Sequence, residues 1–268
     1  MKRYHAYTKI GGIISAVMIL LILIAAFWTP YDTAAMDSSA KLAPPSFAHL
    51  LGTDNLGRDI FSRVLDGAGT TLTIAVLTVA AGAFFGILIG AFTGYYGGPL
   101  DNILMRICDM ITAFPSFLLA LVIVSVLGSG KYHVVLALGL LFIPSFARIV
   151  RGEYARAATQ AYVDNARLMG AGPLRILFVH ILPNIRSVLL SSIAIGFNNA
   201  VLAEASMSYL GIGVQPPDPS LGRMLTEAQT YLLSAPWFAV SAGSVIILLI
   251  LGFTLLGEGL SKEAGRNA

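Results

Sequence analysis

The sequence predicts an all-α membrane protein with six transmembrane helices, and three observations predict it. The apolar set Ala, Val, Ile, Leu, Met, Phe, Trp, Tyr and Cys makes up 56% of the 268 residues, whereas Asp, Glu, Lys and Arg make up only 12%. The mean hydropathy is +0.79. Long uncharged stretches separate the charged residues. Because a soluble domain carries about 25% charged residues, this composition excludes a soluble enzyme.

The uncharged stretches give the positions of the helices. They run 10–31, 67–100, 110–130, 132–147, 187–203 and 228–257. A bilayer core about 30 Å thick needs roughly 20 apolar helical residues, so most of these stretches fit one span. The stretch 132–147 is short and is expected to extend to Val150. The stretch 67–100 is too long for one span, and Gly94-Tyr95-Tyr96-Gly97-Gly98-Pro99 predicts that its helix occupies about 70–94. Pro236 is expected to begin the last span.

The distribution of Lys and Arg predicts the orientation of the chain. With the N-terminus inside, most of these residues fall in inside segments, so both termini are expected to be cytoplasmic in a plasma (inner) membrane. The net charge of +3 then reflects orientation, and no nucleic-acid partner is expected. Lys2-Arg3 and Ala34-Ala35 also resemble the ends of a signal peptide. A retained first helix is favoured, because the apolar run is longer than a typical signal core.

These boundaries divide the chain into one membrane domain with loops. We expect a cytoplasmic tail at 1–9, a first transmembrane helix at 10–31 and an extracytoplasmic loop at 32–69. A five-helix core follows at 70–258, interrupted by a large inside loop at 151–186, and a cytoplasmic tail occupies 259–268.

Few residues in the sequence suggest catalytic or metal chemistry. The run Gly128-Ser129-Gly130-Lys131-Tyr132 imitates a phosphate-binding loop, but it has Ser125 in place of the first glycine and Tyr132 in place of the hydroxyl that binds Mg²⁺. The single Cys108 and the scattered histidines His5, His49, His133 and His180 lack metal-ligand spacing. Arg106 and Asp109 are spaced to neutralise each other on a helix. We therefore expect neither an enzyme nor a metal site.

Glycines recur at every fourth position of the second predicted helix, at Gly82, Gly86, Gly90 and Gly94. At this spacing they lie on nearly one face and allow another backbone to approach closely. The face is interpreted as a helix-packing surface. A surface along which helices slide during gating is the alternative, and both roles are compatible.

The inside loop contains a short predicted helix. Val163, Ala166 and Met169 form a narrow apolar stripe, and Gly170 ends the helix. Residues 174–181 are mostly apolar, as expected for a helix at the membrane interface. The short helix is suited to the groove of another protein. A surface helix resting on lipid headgroups explains the residues equally well.

Three motifs resemble those of a known family. Asp164-Asn165-Ala166, Gly170 and His180-Ile181-Leu182-Pro183-Asn184 resemble the EAA loop of binding-protein-dependent ABC importer permeases. The dipeptide/oligopeptide/nickel branch is resembled by an outer-side motif containing Gly52, Thr53, Asp54, Gly57, Arg58 and Asp59, and by a second one containing Glu204, Gly211 and Gly213. The similarity covers nearly the whole chain and is strongest to the C-type subunit. Asp164, Asn165 and Leu221 depart from the family pattern.

The resemblance implies a type I ABC importer permease fold with a cytoplasmic coupling helix. Its implied partners are a second homologous permease, two cytoplasmic ATPases, an extracytoplasmic solute-binding protein and membrane lipid. ATP and Mg would be bound by the ATPases, and no cofactor by this chain. The implied ATPase-coupling residues are Val163, Asp164, Asn165, Ala166, Met169, Gly170 and Pro183. Short peptides are the expected substrate, with nickel or a metal chelate as the alternative and a stand-alone secondary transporter as a remote one.

Overall fold

The computed structural model describes residues 2–264, with side chains from residue 7 to residue 260. Residue 1 and residues 265–268, at the ends of the two predicted tails, lie outside the described residues. Ten α-helices are described: α1 Lys2–Ala25, α2 Ile60–Tyr96, α3 Gly98–Thr112, α4 Ser116–Leu127, α5 Lys131–Ala157, α6 Ala161–Leu168, α7 Pro173–Arg175, α8 Arg186–Tyr209, α9 Leu221–Gln229 and α10 Pro236–Ala264. A π-helical turn, Ile176–Ile181, and a 3-10 turn, Leu182–Ile185, join α7 to α8.

The described helices provide the predicted number of membrane crossings. Five segments are long and apolar enough to cross a bilayer: α1 from Tyr7, α2, α5, the continuous run from Pro173 to Tyr209, and α10. The pair α3 and α4, which is bent by 84°, is the sixth candidate span. The sequence predicted one span over 110–130, and the structure divides this region between two helices. Pro115 stands at the bend, where its ring and missing N–H interrupt a helix.

Several helices extend beyond their predicted boundaries. Helix α2 begins at Ile60, not near residue 70, because the Asp59 carboxylate caps it by accepting the Ser62 N–H at 2.8 Å. Helix α1 begins at Lys2 and ends at Ala25, so most of the predicted tail 1–9 is helical and residues 26–31 are not. Helix α10 begins at Pro236 as predicted, but its end at Ala264 lies inside the predicted tail 259–268.

Close contacts give the relative directions of the helices. Gly82 lies against Phe142 and Gly94 against Tyr154, so α2 and α5 run parallel. Gly252 of α10 lies against the middle of α1, and Gly259 lies against a residue nearer the start of α1, so α1 and α10 run antiparallel. The bundle therefore has two ends. We call the end where α2 begins the Asp54 end, and the opposite one the α6 end.

The predicted inside loop 151–186 is almost entirely helical. Helix α5 continues through it to Ala157, and α6, α7 and the two turns follow. Residues 174–181 are expected at the membrane interface, and the structure adds that one side of this segment packs on the chain itself. Ile176, Leu177 and Ile181 are buried, and the Tyr154 hydroxyl of α5 donates a hydrogen bond to the Leu177 carbonyl at 3.0 Å. These buried side chains and this hydrogen bond hold residues 176–181 against α5.

Candidate functional site

The predicted apolar stripe of α6 faces the chain's own core. Val163 and Ala166 are buried in a cluster with Tyr154 and Ile181. They are therefore not free to contact another subunit, and this part of the coupling prediction is wrong. Met169 does not share their face, because it stands just beyond the last residue of α6 and is 88% exposed. The helical spacing of Val163 and Ala166 defines an apolar face of α6, but it does not indicate whether that face is covered by the same chain or by another protein.

The other predicted coupling residues lie on the surface. Asp164, Asn165, Gly170 and Pro183 are exposed. Leu168, which the sequence reasoning missed, is 86% exposed beside Met169. We call residues 168 and 169 the α6 tip. Two large apolar side chains exposed together at a helix end are suited to contact another protein. The signal that would have found Leu168 is its position outside the buried stripe and immediately before the end of the helix.

Gly170 ends α6 in a left-handed conformation, with φ at 81°. Its N–H donates to the Arg167 carbonyl at 3.0 Å, and the Ala171 N–H donates to the Ala166 carbonyl at 3.0 Å. This pair of hydrogen bonds is the Schellman motif, which favours glycine at this position. Apart from its two chain neighbours, no described residue has an atom within 4 Å of a Cβ placed on Gly170. The glycine is therefore needed for its backbone conformation, and it also leaves the surface beside the α6 tip open.

Arg167 forms an exposed ion pair within α6 and also contacts α2. The Arg167 guanidinium donates to the Asp164 carboxylate at 3.1 Å and lies 5.3 Å from the centre of the Tyr95 ring. Hydrogen bonding to the Tyr95 hydroxyl, together with the charge of Asp164, raises the pKa of Arg167. Asp164 occupies the first turn of α6, where a carboxylate is favoured by the helix dipole. Its charge is thus balanced within the chain.

The four glycines of α2 lie against α5. A Cβ on Gly82 would stand 2.6 Å from the Phe142 Cβ, and one on Gly90 would stand 2.6 Å from the Ala147 carbonyl oxygen. Gly86 and Gly94 have equally close neighbours on the same helix. The four-residue spacing therefore corresponds to a helix-packing face within this chain. Its neighbour is α5, not a helix of a partner subunit.

The motif at residues 52–59 forms a charged network at the Asp54 end. Asp54 is fully buried and accepts hydrogen bonds from the Arg58 Nε at 2.7 Å and from Arg63. Glu227 of α9 accepts a hydrogen bond from Arg58 at 3.0 Å and forms an ion pair with Arg63 at 3.1 Å. The network therefore joins the loop before α2 to α9. The sequence reasoning missed Glu227, because no local pattern relates residues 169 positions apart.

The other residues of the 52–59 motif shape its turn. Gly52 and Gly57 have φ of 77° and 78°, a region that favours glycine. The Thr53 hydroxyl accepts the Ala43 N–H at 2.8 Å. Besides capping α2, Asp59 lies 2.9 Å from the Nδ1 atom of His49. These four motif residues therefore have a structural role within the chain.

Glu204 lies within α8, fully buried, and not in a loop after it. Its carboxylate accepts the hydroxyls of Thr71 from α2 and Ser208 from α8, each at 2.7 Å. Gly213 packs directly against Ser208, and Gly211 ends α8 with φ of 78°. The second outer motif therefore fastens the chain after α8 onto α2 and α8.

No cluster suitable for a metal occurs among the described residues. The expected Arg106–Asp109 pair is wrong, because Asp109 instead accepts from Arg148 of α5 at 3.0 Å. This pair joins α3 to α5. Over the residues whose side chains are described, the geometry is one of packing and docking surfaces.

A comparison with known protein families identifies the family of this chain. The family described as binding-protein-dependent transport system inner membrane component matches residues 86–263, which is more than half of the chain. The chain belongs to this family. Family membership and the apolar helices show that the chain is a multi-pass protein of an inner membrane. Within that family it is a permease subunit of an ABC importer.

Relatives of this inner membrane component extend over almost its whole length. It is 41% identical over 254 residues to the glutathione transport system permease protein GsiD of Pectobacterium atrosepticum, covering 93% of this chain and 84% of that protein. It is 37% identical over 257 residues to the dipeptide transport system permease protein DppC of Haemophilus influenzae, covering 94% and 87%. These relatives are permease subunits, not enzymes, and in such systems separate subunits carry the ATPase.

A solved structure has the same fold. The inward-facing MetNI methionine ABC transporter contains a chain that aligns with a TM-score of 0.62 at 18% identity, covering 75% of this chain and 96% of that one. The type I importer permease fold is therefore confirmed. Importers of this family work in general with ATPase subunits and a solute-binding protein. These partners are candidates for contacts at the two ends of the bundle.

Proposed function

We propose that this permease pairs with a second, homologous permease and forms with it a pathway for the uptake of short peptides. The observation that carries the proposal is the similarity to GsiD and DppC over more than nine-tenths of the chain. One of these relatives is named for glutathione transport and the other for dipeptide transport. Glutathione and dipeptides are both short peptides, and neither relative is named for nickel or a metal chelate, so peptides are the favoured substrate.

The α6 end is proposed to be cytoplasmic and to dock on two ATPases, which bind ATP and Mg. The bias of Lys and Arg toward this end supports the orientation. Leu168 and Met169 of the α6 tip are apolar and exposed, as an anchor residue that fills a groove has to be. Asp164, Asn165, Gly170 and Pro183 surround the contact, while Val163 and Ala166 hold α6 on the core.

The Asp54 end is proposed to receive the solute-binding protein. Two of its segments, residues 32–59 and 210–235, are held together by the Asp54–Glu227 network and so present one connected surface. In this arrangement ATP-driven closure of the ATPases acts on α6, and the opposite end opens to accept substrate. The chain itself performs no covalent chemistry and binds no cofactor in this proposal.

Reconstitution tests this function directly. The permease pair, its cognate ATPases and its binding protein are placed in proteoliposomes, and uptake of a labelled dipeptide, of glutathione and of Ni²⁺ is measured with and without ATP. We expect ATP-dependent uptake of at least one of the two peptides. Uptake of Ni²⁺ without uptake of either peptide would show that the substrate is nickel. ATP-independent uptake by this chain alone would show that it is a stand-alone transporter.

A further inference from the structure

A cleft between α4, α5 and α8 has no role in the packing described so far. Its volume is about 370 Å³. Most of its lining is apolar, but it includes three exposed polar side chains: Ser116 of α4, Ser145 of α5 and Asn199 of α8. Within the described part of the chain, none of these three side chains makes a hydrogen bond. Ser145 and Asn199 lie near the middle of their helices.

A second cleft of similar size provides a comparison, because its lining is different. It has a volume of about 340 Å³, lies between α2, α8 and α10, and includes Val76, Ile193 and Leu260. Every side chain that lines it is apolar. Hydrocarbon satisfies no polar group, and an exposed amide within a membrane span is therefore expected to face water or protein. The two clefts are thus opposite in character, although they share helix α8.

The polar surface continues from the first cleft toward the α6 end. Arg148 stands three residues after Ser145 on α5, which places the two on neighbouring positions of one helix side. Arg148 pairs with Asp109, and its side chain is 52% exposed while that of Asp109 is 66% exposed. Charged side chains of a membrane span normally pair and face an aqueous cavity. Polar side chains therefore continue along α5 from the cleft toward the α6 end.

We infer that this cleft forms one wall of the translocation pathway, and that Asn199, assisted by Ser145 and Ser116, binds the backbone amides of the passing peptide. The inference rests on the proposed peptide uptake. The Asn199 side chain has both a carbonyl acceptor and an NH₂ donor, which match the N–H and C=O of a peptide unit. An apolar lining with a few polar groups is typical of a small-ligand site, and the volume lies within the usual range of about 300–1,000 Å³.

The lining also indicates which part of a peptide is recognised. It contains hydroxyls, one amide and apolar groups, but no carboxylate, guanidinium, ammonium or imidazole among its residues. Such a surface contacts the neutral backbone and apolar side chains, not the charged termini. Recognition of the backbone alone is compatible with the transport of peptides that differ in sequence.

The wall is tested by cysteine reactivity in the reconstituted complex. Asn199→Cys and Ile193→Cys are compared in a Cys108→Ala background, using a small water-soluble thiosulfonate reagent. We expect Asn199→Cys to react at least about tenfold faster, because the reactive thiolate requires water and Ile193 lies in the wholly apolar cleft. Equal rates, or a faster reaction of Ile193→Cys, would overturn the assignment of the wall.

The amide contact is tested by transport. With a saturating load of binding protein, Asn199→Leu is expected to lower uptake of a dipeptide by about five- to tenfold, the effect of one hydrogen bond. The matched control is Ser244→Ala on α10, whose hydroxyl bonds only to the Ser241 carbonyl, and it should transport like the wild type. If Asn199→Leu lowers the yield of complex, Asn199→Ala replaces it.

An N-methylated dipeptide separates a direct contact from a structural effect. Wild type should transport it more slowly than the parent peptide, whereas Asn199→Leu should transport the two at nearly equal rates. The wild-type and Asn199→Leu complexes receive the same loaded binding protein. Any difference in how that protein captures the two peptides therefore cancels when the ratio of the two uptake rates is compared between the complexes. An unchanged preference for the parent peptide in Asn199→Leu would overturn the contact. Absence of any peptide uptake by wild type would overturn the proposed function and the ligand, while the thiol rates would still decide the wall.

Discussion

The close contact between α2 and α5 makes Gly90→Ala the sharpest test of the packing. A Cβ on Gly90 would stand 2.6 Å from the Ala147 carbonyl oxygen, 2.7 Å from the Val150 Cβ and 2.8 Å from the Arg151 nitrogen. Two carbon atoms prefer a separation of about 3.5–4.0 Å, so the helices have to move apart by about 1 Å. All three neighbours are backbone or Cβ atoms, which cannot rotate away.

The size of the effect follows from two opposing contributions. Overpacking costs typically about 1–3 kcal/mol, and we place Gly90→Ala at about 3 kcal/mol because its neighbours are rigid. Alanine in a helix is favoured over glycine by about 1 kcal/mol. The net loss of stability is therefore about 2 kcal/mol, which corresponds to about 4–8 °C in the unfolding midpoint of a chain of this size.

The assay is the unfolding midpoint of the detergent-purified complex, measured by heating and size-exclusion detection at one fixed heating time. Gly152→Ala on α5 is the matched control, because no atom lies within 4 Å of its Cβ position. It should keep or raise the midpoint. A Gly90→Ala midpoint at or above that of wild type would show that α2 and α5 do not pack this closely.

Three further predictions concern the two ends of the bundle. Gly170→Ala should cost about 1–2 kcal/mol of left-handed strain at the end of α6 and reduce co-purification with the ATPases, whereas Gly172→Ala, at φ of −67°, should not. Asp54→Ala should destabilise the complex by about 3–5 kcal/mol, because it leaves a buried guanidinium with fewer acceptors. Asp218→Ala breaks a half-exposed pair and should cost about 0–1 kcal/mol on heating. Ser39→Cys, without the native cysteine, should react with an impermeant reagent in intact cells; labelling only after permeabilisation would reverse the orientation.

The sequence predicted the spans well because charge is excluded from hydrocarbon. That rule fails where charges are buried in pairs. Arg63 and Asp66 led to the assignment of residues 60–69 to a loop, yet both lie in α2. Arg63 can be buried because its charge is paired with those of Asp54 and Glu227. A partner so distant along the chain has no local signature, and the start of α2 was therefore placed ten residues late.

The third span shows a different limit. Hydropathy measures how apolar a stretch is, and it does not report direction. Residues 110–130 are uncharged enough for one helix, but α3 reaches only to Thr112 and α4 starts at Ser116. Pro115 was visible in the sequence and marks the break. The 84° turn that follows depends on how α3 packs on α5, through Asp101 with Arg151 and Asp109 with Arg148.

Helix α6 shows why a surface motif is harder to predict than a span. An apolar stripe on a short helix requires a cover, but the sequence does not state whether the cover is the same chain or another one. Here Tyr154 and Ile181 of the same chain are close enough to bury Val163 and Ala166. What remains for a partner is the α6 tip, which follows the stripe and precedes the glycine that ends the helix. The buried face of α6 packs on the π-helical turn Ile176–Ile181. That turn is joined to α5 by the hydrogen bond from Tyr154 to Leu177, so a displacement of the tip is expected to reach α5, which carries Ser145 of the proposed pathway wall, through this turn.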